Sequence, residues 1–239
     1  MTEQTPSIPI GLVAGLGVGA GIFYYRSLVN AHAALGLSPR ILMTHADVRK
    51  VLGLANARKT RELAEYLAEL LRQLAAGGAQ FATIPAFAPQ VCARELAEIT
   101  PLPLDSLLDA IAEEVDRRGL RRVAVFGARV TMETGLFGRL QGLADVISMP
   151  SAEIDRVAGI YGNIVANERA SEEEFDALRT LAHKLVERER LDAILLAGTD
   201  LAFVFDPGNT DFPHLDGART HIDAIMRRCQ LRLGSSTNS

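Results

Sequence analysis

Residues 81–90 read FATIPAFAPQ and residues 194–201 read ILLAGTDL. Each is an apolar run of strand length that breaks into a short loop of small residues and then turns helical. Before the first stands Lys59–Ala76, with apolar residues at Leu63, Tyr66, Leu67, Leu70, Leu71 and Leu74, the spacing of one helix face. Gly77-Gly78 stops that helix. Before the second stand two more helical stretches, Glu153–Asn167 and Glu172–Glu189.

Working outward from these two runs, the same cycle appears twice. In the first half Ile8–Val13 is a strand, followed by a glycine loop and a helix from Gly21 to Leu35. Arg40–Met43 is the next strand, Gln80–Ile84 the third, Val91–Glu98 a helix, and Ser106–Arg118 another. The second half opens on the strand Arg121–Phe126 and a helix from Thr131 to Leu140. The strands Asp145–Met149 and Ala193–Leu196 follow, and a helix over Thr220–Arg228 closes the fold, with Ser235–Ser239 as a frayed tail. Alternating strands and helices predict an α/β fold of mostly parallel sheets covered by helices. The repetition predicts two similar halves related by a pseudo-twofold, residues 1–104 and 105–215, with 216–239 packing back onto the first. Ligands of such sheets bind beyond the carboxyl ends of the strands. The cleft between the halves is therefore expected to be lined by Ala14–Ala20, Thr44–Val48, Ala86–Gln90, Gly127–Thr131 and Gly198–Asp200.

The composition narrows the function classes. Hydrophobic residues make up 48% and charged residues 23% of 239 residues, the balance of a soluble globular protein. A net charge of −4 leaves no basic footprint for nucleic acid. Residues 4–25 carry no charge until the arginine that follows, yet five glycines interrupt them and no basic segment precedes them. Neither a membrane span nor a secretory leader is expected there. Five histidines and two cysteines, Cys92 and Cys229, show no metal-ligand spacing and no disulfide framework. No metal and no cofactor are expected, and a cytoplasmic setting suits the two thiols.

Five segments, in order, resemble one family. Ile10-Gly-Leu-Val-Ala-Gly-Leu-Gly17 with Tyr24-Tyr25, Ile41-Leu-Met-Thr-His-Ala-Asp-Val48, Val125-Phe-Gly-Ala-Arg-Val-Thr-Met132, Leu196-Ala-Gly-Thr-Asp-Leu201, and the pair Asp216 and His221 are similar to motifs of the aspartate/glutamate racemases. The resemblance implies a cofactor-free racemase, usually dimeric, acting on a small amino acid with an extra carboxylate. Two facing thiols would do the chemistry, one removing the α-proton and the other returning a proton to the opposite face.

Those thiols are missing where the resemblance would put them. The matching positions are Ala86 and Gly198, and the residues after Ala86 are Phe87-Ala88. The first loop thus becomes apolar and suits a ligand with a nonpolar portion. Cys92 lies six residues on, along the following helix, and reads as a packed thiol.

The remaining titratable candidates are His45, Asp47, Asp200 and His221. His45 ends the second strand and could serve as a base with Asp47 as its orienter, or be bonded to backbone at a strand edge. Asp200 is an acid/base candidate or a helix cap, and His221 caps the last helix or acts alone. Substrate contacts are expected from Gly15, Leu16, Ala86, Phe87, Arg129, Thr131, Tyr161, Gly198 and Thr199. Thr131 could equally be an N-cap, Arg129 a brace, and Tyr161 helix packing. Two functions stay open: an enzyme of this superfamily on a small carboxylate or amino-acid-like substrate, with isomerase, lyase or decarboxylase chemistry in place of two-thiol racemisation, or a non-catalytic relative that binds such a ligand. Racemisation by His45 and Asp200 from opposite halves is a third route. A homodimer is expected, with no nucleic-acid or membrane partner.

Overall fold

The computed structural model describes residues 5–236. The chain forms two compact units, one running to Leu107 and resuming at His221, the other Leu108–Thr220. The first holds β1 (Thr5–Pro6), β2 (Ile10–Ala14), α1 (Val18–Ala34), β3 (Leu37–Ser38), β4 (Ile41–His45), α2 (Val48–Asn56), α3 (Thr60–Ala76), β5 (Phe81–Thr83), α4 (Ala93–Ile99) and β6 (Leu104–Asp105). From α5 (Leu107–Arg117) the chain enters the second unit. There follow β7 (Arg122–Gly127), α6 (Arg129–Glu133), β8 (Asp145–Val146), α7 (Ser151–Asn167), α8 (Glu172–Glu189), β9 (Ala193–Ala197) and β10 (His214–Asp216). Helix α9 (Gly217–Ser236) leads back into the first unit.

Each unit contains a four-stranded parallel sheet, in the orders β4-β2-β5-β6 and β8-β7-β9-β10. Numbered within its own sheet, each order is second-first-third-fourth. The expected repeat is therefore one of topology, and the expected α/β class holds. In each sheet the chain leaves the first strand to one side and returns on the other, so the crevice beside the first and third strands is where a ligand fits. Those strand ends are Ala14 and Thr83 in one unit, Gly127 and Ala197 in the other.

The strands obey the rule for sheets covered on both faces. All five residues of β9 are buried, and all of β7 but Arg122. In the first unit Leu63, Leu67, Leu70, Leu71 and Leu74 of α3 form one core with Val13, Val51, Ile84, Cys92 and Leu96. Among the described residues no helix is long and apolar enough to cross a membrane.

Several boundaries differ from the sequence reading. Thr44–Val48 is not a loop: β4 continues through His45, and α2 begins at Val48. The helix expected over Thr131–Leu140 stops at Glu133, because Gly135, Leu136 and Phe137 all take left-handed conformations (φ 55°, 58° and 56°). The strand expected over Asp145–Met149 is shortened to Asp145–Val146, with one further bond from the Ile147 N–H to the Val123 carbonyl, before Pro150 leads into α7. The last helix starts at Gly217 and reaches Ser236; residues 237–239 of the expected tail lie outside the described residues.

His221 joins α9 to the first unit. Its ring is fully buried, with Nδ1 3.0 Å from the Tyr24 hydroxyl and Nε2 3.0 Å from Thr83 Oγ1 and 3.1 Å from the Asp105 carbonyl. A carbonyl only accepts, so Nε2 carries the proton and Nδ1 accepts from Tyr24. Burial pushes the imidazole down from 6.5 to about 4.

This makes stability pH-dependent. Between pH 6.5 and 4 the unfolded chain binds a proton at His221 that the folded ring refuses. Stability contributed by the neutral ring is therefore complete above the unfolded value and falls as pH drops through that window. Urea midpoints should show a loss of about 2 kcal/mol between about pH 7 and pH 5 from this residue. His221→Gln should be less stable at neutral pH, with a shallower slope; an unchanged slope would remove His221 as the cause.

Candidate functional site

The second unit concentrates polar groups at the ends of β7 and β9. After β9 the chain passes Gly198 into a short 3-10 turn, Thr199–Phe203. Gly198 is the residue before that turn, and no side chain caps it. The capping role open to Thr199 and Asp200 is therefore not taken up. Instead Asp200 turns inward and is 2% exposed. Its Oδ2 accepts from the Tyr161 hydroxyl at 3.3 Å and from the Thr199 hydroxyl at 3.4 Å. Its Oδ1 is buried without a hydrogen-bond partner. Burial raises the Asp200 carboxyl above the ordinary aspartate range and raises the Tyr161 phenol well above 10, the latter also through the neighbouring carboxylate.

Thr131 lies at the third position of α6, whose N-cap is Ala128, so the N-cap reading fails. Its side chain is fully buried, and its hydroxyl also lacks a partner. Buried polar groups are nearly always paired, and an unpaired one marks a place where a ligand or water completes the bonding. Arg129 points elsewhere: it pairs with Glu133 at 3.0 Å and with Asp155 on α7. The bracing role open to it is the one its bonds describe.

The first unit is built differently. Ala86 and Phe87 follow β5 and are each 4% exposed. The Gln90 side-chain amide donates to the Ala86 carbonyl at 2.9 Å and holds this loop folded. Leu16 packs against the core. Gly15 has φ +89°, and a Cβ there would stand 2.6 Å from the Ala46 carbonyl and 2.8 Å from His45 Cε1. The His45 ring thus covers the glycine loop from β4, beside Ala14 in register, with its side chain exposed.

Asp47 does not orient His45. Its carboxylate accepts from the backbone N–H groups of Arg49 (2.9 Å) and Lys50 (3.2 Å) as the N-cap of α2. The expected pair required an extended chain through residue 47, and the helix start takes the carboxylate away. Nor is His221 the cap of α9 or a free base. It is the fifth helical residue, and both of its nitrogens are spent. Tyr24, Thr83 and Tyr66, whose hydroxyl accepts from the Asp47 N–H at 2.7 Å, are the site neighbours that sequence reasoning missed. A threonine inside the apolar run FATIP was the available signal for Thr83.

Neither cysteine stands in these loops. Cys92 is fully buried and donates to the Pro89 carbonyl at 3.2 Å; burial pushes its thiol up to about 12. Cys229 is likewise buried, and its thiol is pushed up to about 11. Among the described residues no group of three or more His, Cys, Asp or Glu side chains could hold a metal ion.

The fold is shared with known proteins. A protein from Yersinia pestis, provisionally described as an Asp/Glu racemase, superposes with a TM-score of 0.82 at 24% identity, over 93% of this chain and 99% of that one. An aspartate racemase homologue from Pyrococcus horikoshii OT3 gives 0.76 at 19% identity, over 93% and 99%. The aspartate racemase of Picrophilus torridus gives 0.76 at 14% identity, over 93% and 94%. At these identities the likeness is one of fold. A search of the curated proteins found no match. The family model described as Asp/Glu/Hydantoin racemase matches residues 13–225, nearly the whole length. The chain belongs to the Asp/Glu/Hydantoin racemase family.

Proposed function

We propose that this chain is a cofactor-independent enzyme acting on a small carboxylate or amino-acid-like compound, by acid–base chemistry at carbon that uses no thiolate. The observation that carries it is Asp200: a carboxyl 2% exposed, with one oxygen unpartnered, at the switch point of the second sheet. Leaving such a group unsatisfied costs on the order of 1–3 kcal/mol. A fold kept only as a scaffold has no use for that cost, whereas a shifted carboxyl in a ligand crevice is the usual mark of an acid/base group. The two cysteines support the same reading from the other side. With thiols pushed to about 12 and about 11, neither supplies a thiolate near neutral pH.

His45 is the exposed base candidate of the first unit, and the buried Ala86–Phe87 loop suits the nonpolar part of a substrate. Isomerisation, elimination and decarboxylation all fit a base on one face of the substrate. In this reading the protein works in the cytoplasm as a homodimer, for which light scattering should give twice the chain mass.

The deciding experiment is deuterium wash-in at Cα, followed by proton NMR, with aspartate, glutamate and 5-methylhydantoin as probes. The wild type should exchange at least one of them. Asp200→Asn and His45→Ala should each slow that exchange by about 100-fold or more while staying folded. Binding by thermal shift without exchange or product would favour the non-catalytic relative instead. A separate check uses a thiol-reactive disulfide reagent. The folded protein should react at neither cysteine and keep its exchange activity, and both should react once it is unfolded. Inactivation of the folded protein by the reagent would restore a thiol to the mechanism.

A further inference from the structure

Gly198 has φ −138° and ψ 119°, an extended conformation open to any residue. Its lack of a side chain therefore serves space and not backbone freedom. A Cβ built there would lie 2.3 Å from Cε2 and 2.7 Å from Cζ of Tyr161, and 3.0 Å from Cδ2. Carbon atoms in good contact stand about 3.5–4.0 Å apart. The phenol edge of Tyr161 therefore fills the volume into which a side chain at 198 would project.

We propose that Tyr161 is the proton donor of the second unit's strand-end site, its phenol standing in the side-chain station of residue 198. By the sequence resemblance that station would belong to a thiol. The inference rests on the reading of the chain as an acid–base enzyme and names the group that transfers the proton. Three observations carry it, all within one unit. The ring occupies the station, as the Gly198 contacts show. Its hydroxyl is aimed at Asp200 Oδ2, 3.3 Å away. And Asp200 keeps its other oxygen unpartnered. A ring that only filled space would need no hydroxyl, and a half-buried hydroxyl that only needed a partner would not need a carboxyl with an oxygen to spare. Burial keeps the phenol protonated, which suits a donor and not a base.

The Tyr161 O–H bond breaks as a C–H bond forms at the carbanionic carbon of the substrate. The carbon lone pair becomes that bond, and the O–H pair stays on the phenolate oxygen. Asp200 in its acid form then returns a proton to the phenolate and regains one from solvent. The group that first generates the carbanion is another one.

Tyr161→Phe tests this directly, because it keeps the ring and removes only the hydroxyl. With the probe that the wild type exchanges, kcat for wash-in should fall about 100-fold with KM within about threefold. The melting temperature should stay within about 2 °C. A kcat loss smaller than about tenfold overturns the proposal. The station itself is tested without activity. Gly198→Ala should lower the melting temperature by about 4–8 °C, and Gly198→Ala with Tyr161→Ala should lose clearly less than the two single changes added. An unchanged melting temperature in Gly198→Ala overturns it as well. A wild type that exchanges none of the probes overturns both this proposal and the functional reading beneath it, whereas activity kept in Tyr161→Phe overturns this one alone.

Discussion

The contact between the Tyr161 ring and the bare Cα of Gly198 is the constraint around which the second unit is arranged. It demands that α7 sit at one height and one rotation over the end of β9. Ile154, Val157 and Ile164 of α7 are buried, and with Tyr161 between them they form a stripe spaced three, four and three residues apart, one face of a helix. Burying each aliphatic side chain contributes roughly 1.5–3 kcal/mol. The helix is then pinned along its outer side, where Glu153 pairs with Arg188 of α8 at 2.7 Å and Asp155 pairs with Arg129 of α6. An exposed pair such as Arg129–Asp155 contributes about 0–1 kcal/mol, so the apolar stripe sets the position and the ion pairs trim it. Arg129 thus braces α7, which carries Tyr161.

The two sheets share a topology and divide their chemistry unequally. In the first unit the loop after the third strand is apolar, buried and tied down by the Gln90 amide. The histidine nearest to that strand is neutral and fully bonded, so it fixes Thr83 in place and takes no part in proton traffic near neutral pH. In the second unit the same loop carries a threonine and a carboxyl, met by the Tyr161 phenol from α7, and Asp200 Oδ1 is buried without a partner. Repetition of a fold thus does not carry repetition of function, because the strand-end loops are free to differ while the strands are not.

Much of the frame was legible from sequence. Leucines three and four residues apart from Leu63 to Leu74 announce α3, and the twofold cycle of strand and helix announces the parallel sheets. The site was legible less evenly. Gly198 and Ala86 were conspicuous as empty positions, but emptiness in a sequence does not say what fills the space. Tyr161 lies far from Gly198 along the chain, and only tertiary packing brings its ring there. His221 finds its partners 138 and 197 residues away, and no local pattern announces them. Asp47 misled for a local reason. An aspartate two residues past a strand end is either a site group or an N-cap, and the helix it caps is only nine residues long, with Val51 its one buried residue.

A donor that reaches in from a neighbouring helix differs physically from one that rises from the strand end. A side chain at 198 would be aimed by the backbone of β9, held by hydrogen bonds to β7 and β10 on either side. The Tyr161 hydroxyl is aimed by helix packing and by two side-chain torsions, and a phenol has little freedom beyond those. Its direction is therefore settled by what the ring rests against, and that is the glycine. The two residues exclude alternatives to each other: any side chain at 198 would displace the ring, and with the ring in place 198 admits only glycine. A site so built has one occupant at that station at a time. Moving the donor from the helix to the strand end then requires two substitutions, one at each position, made together.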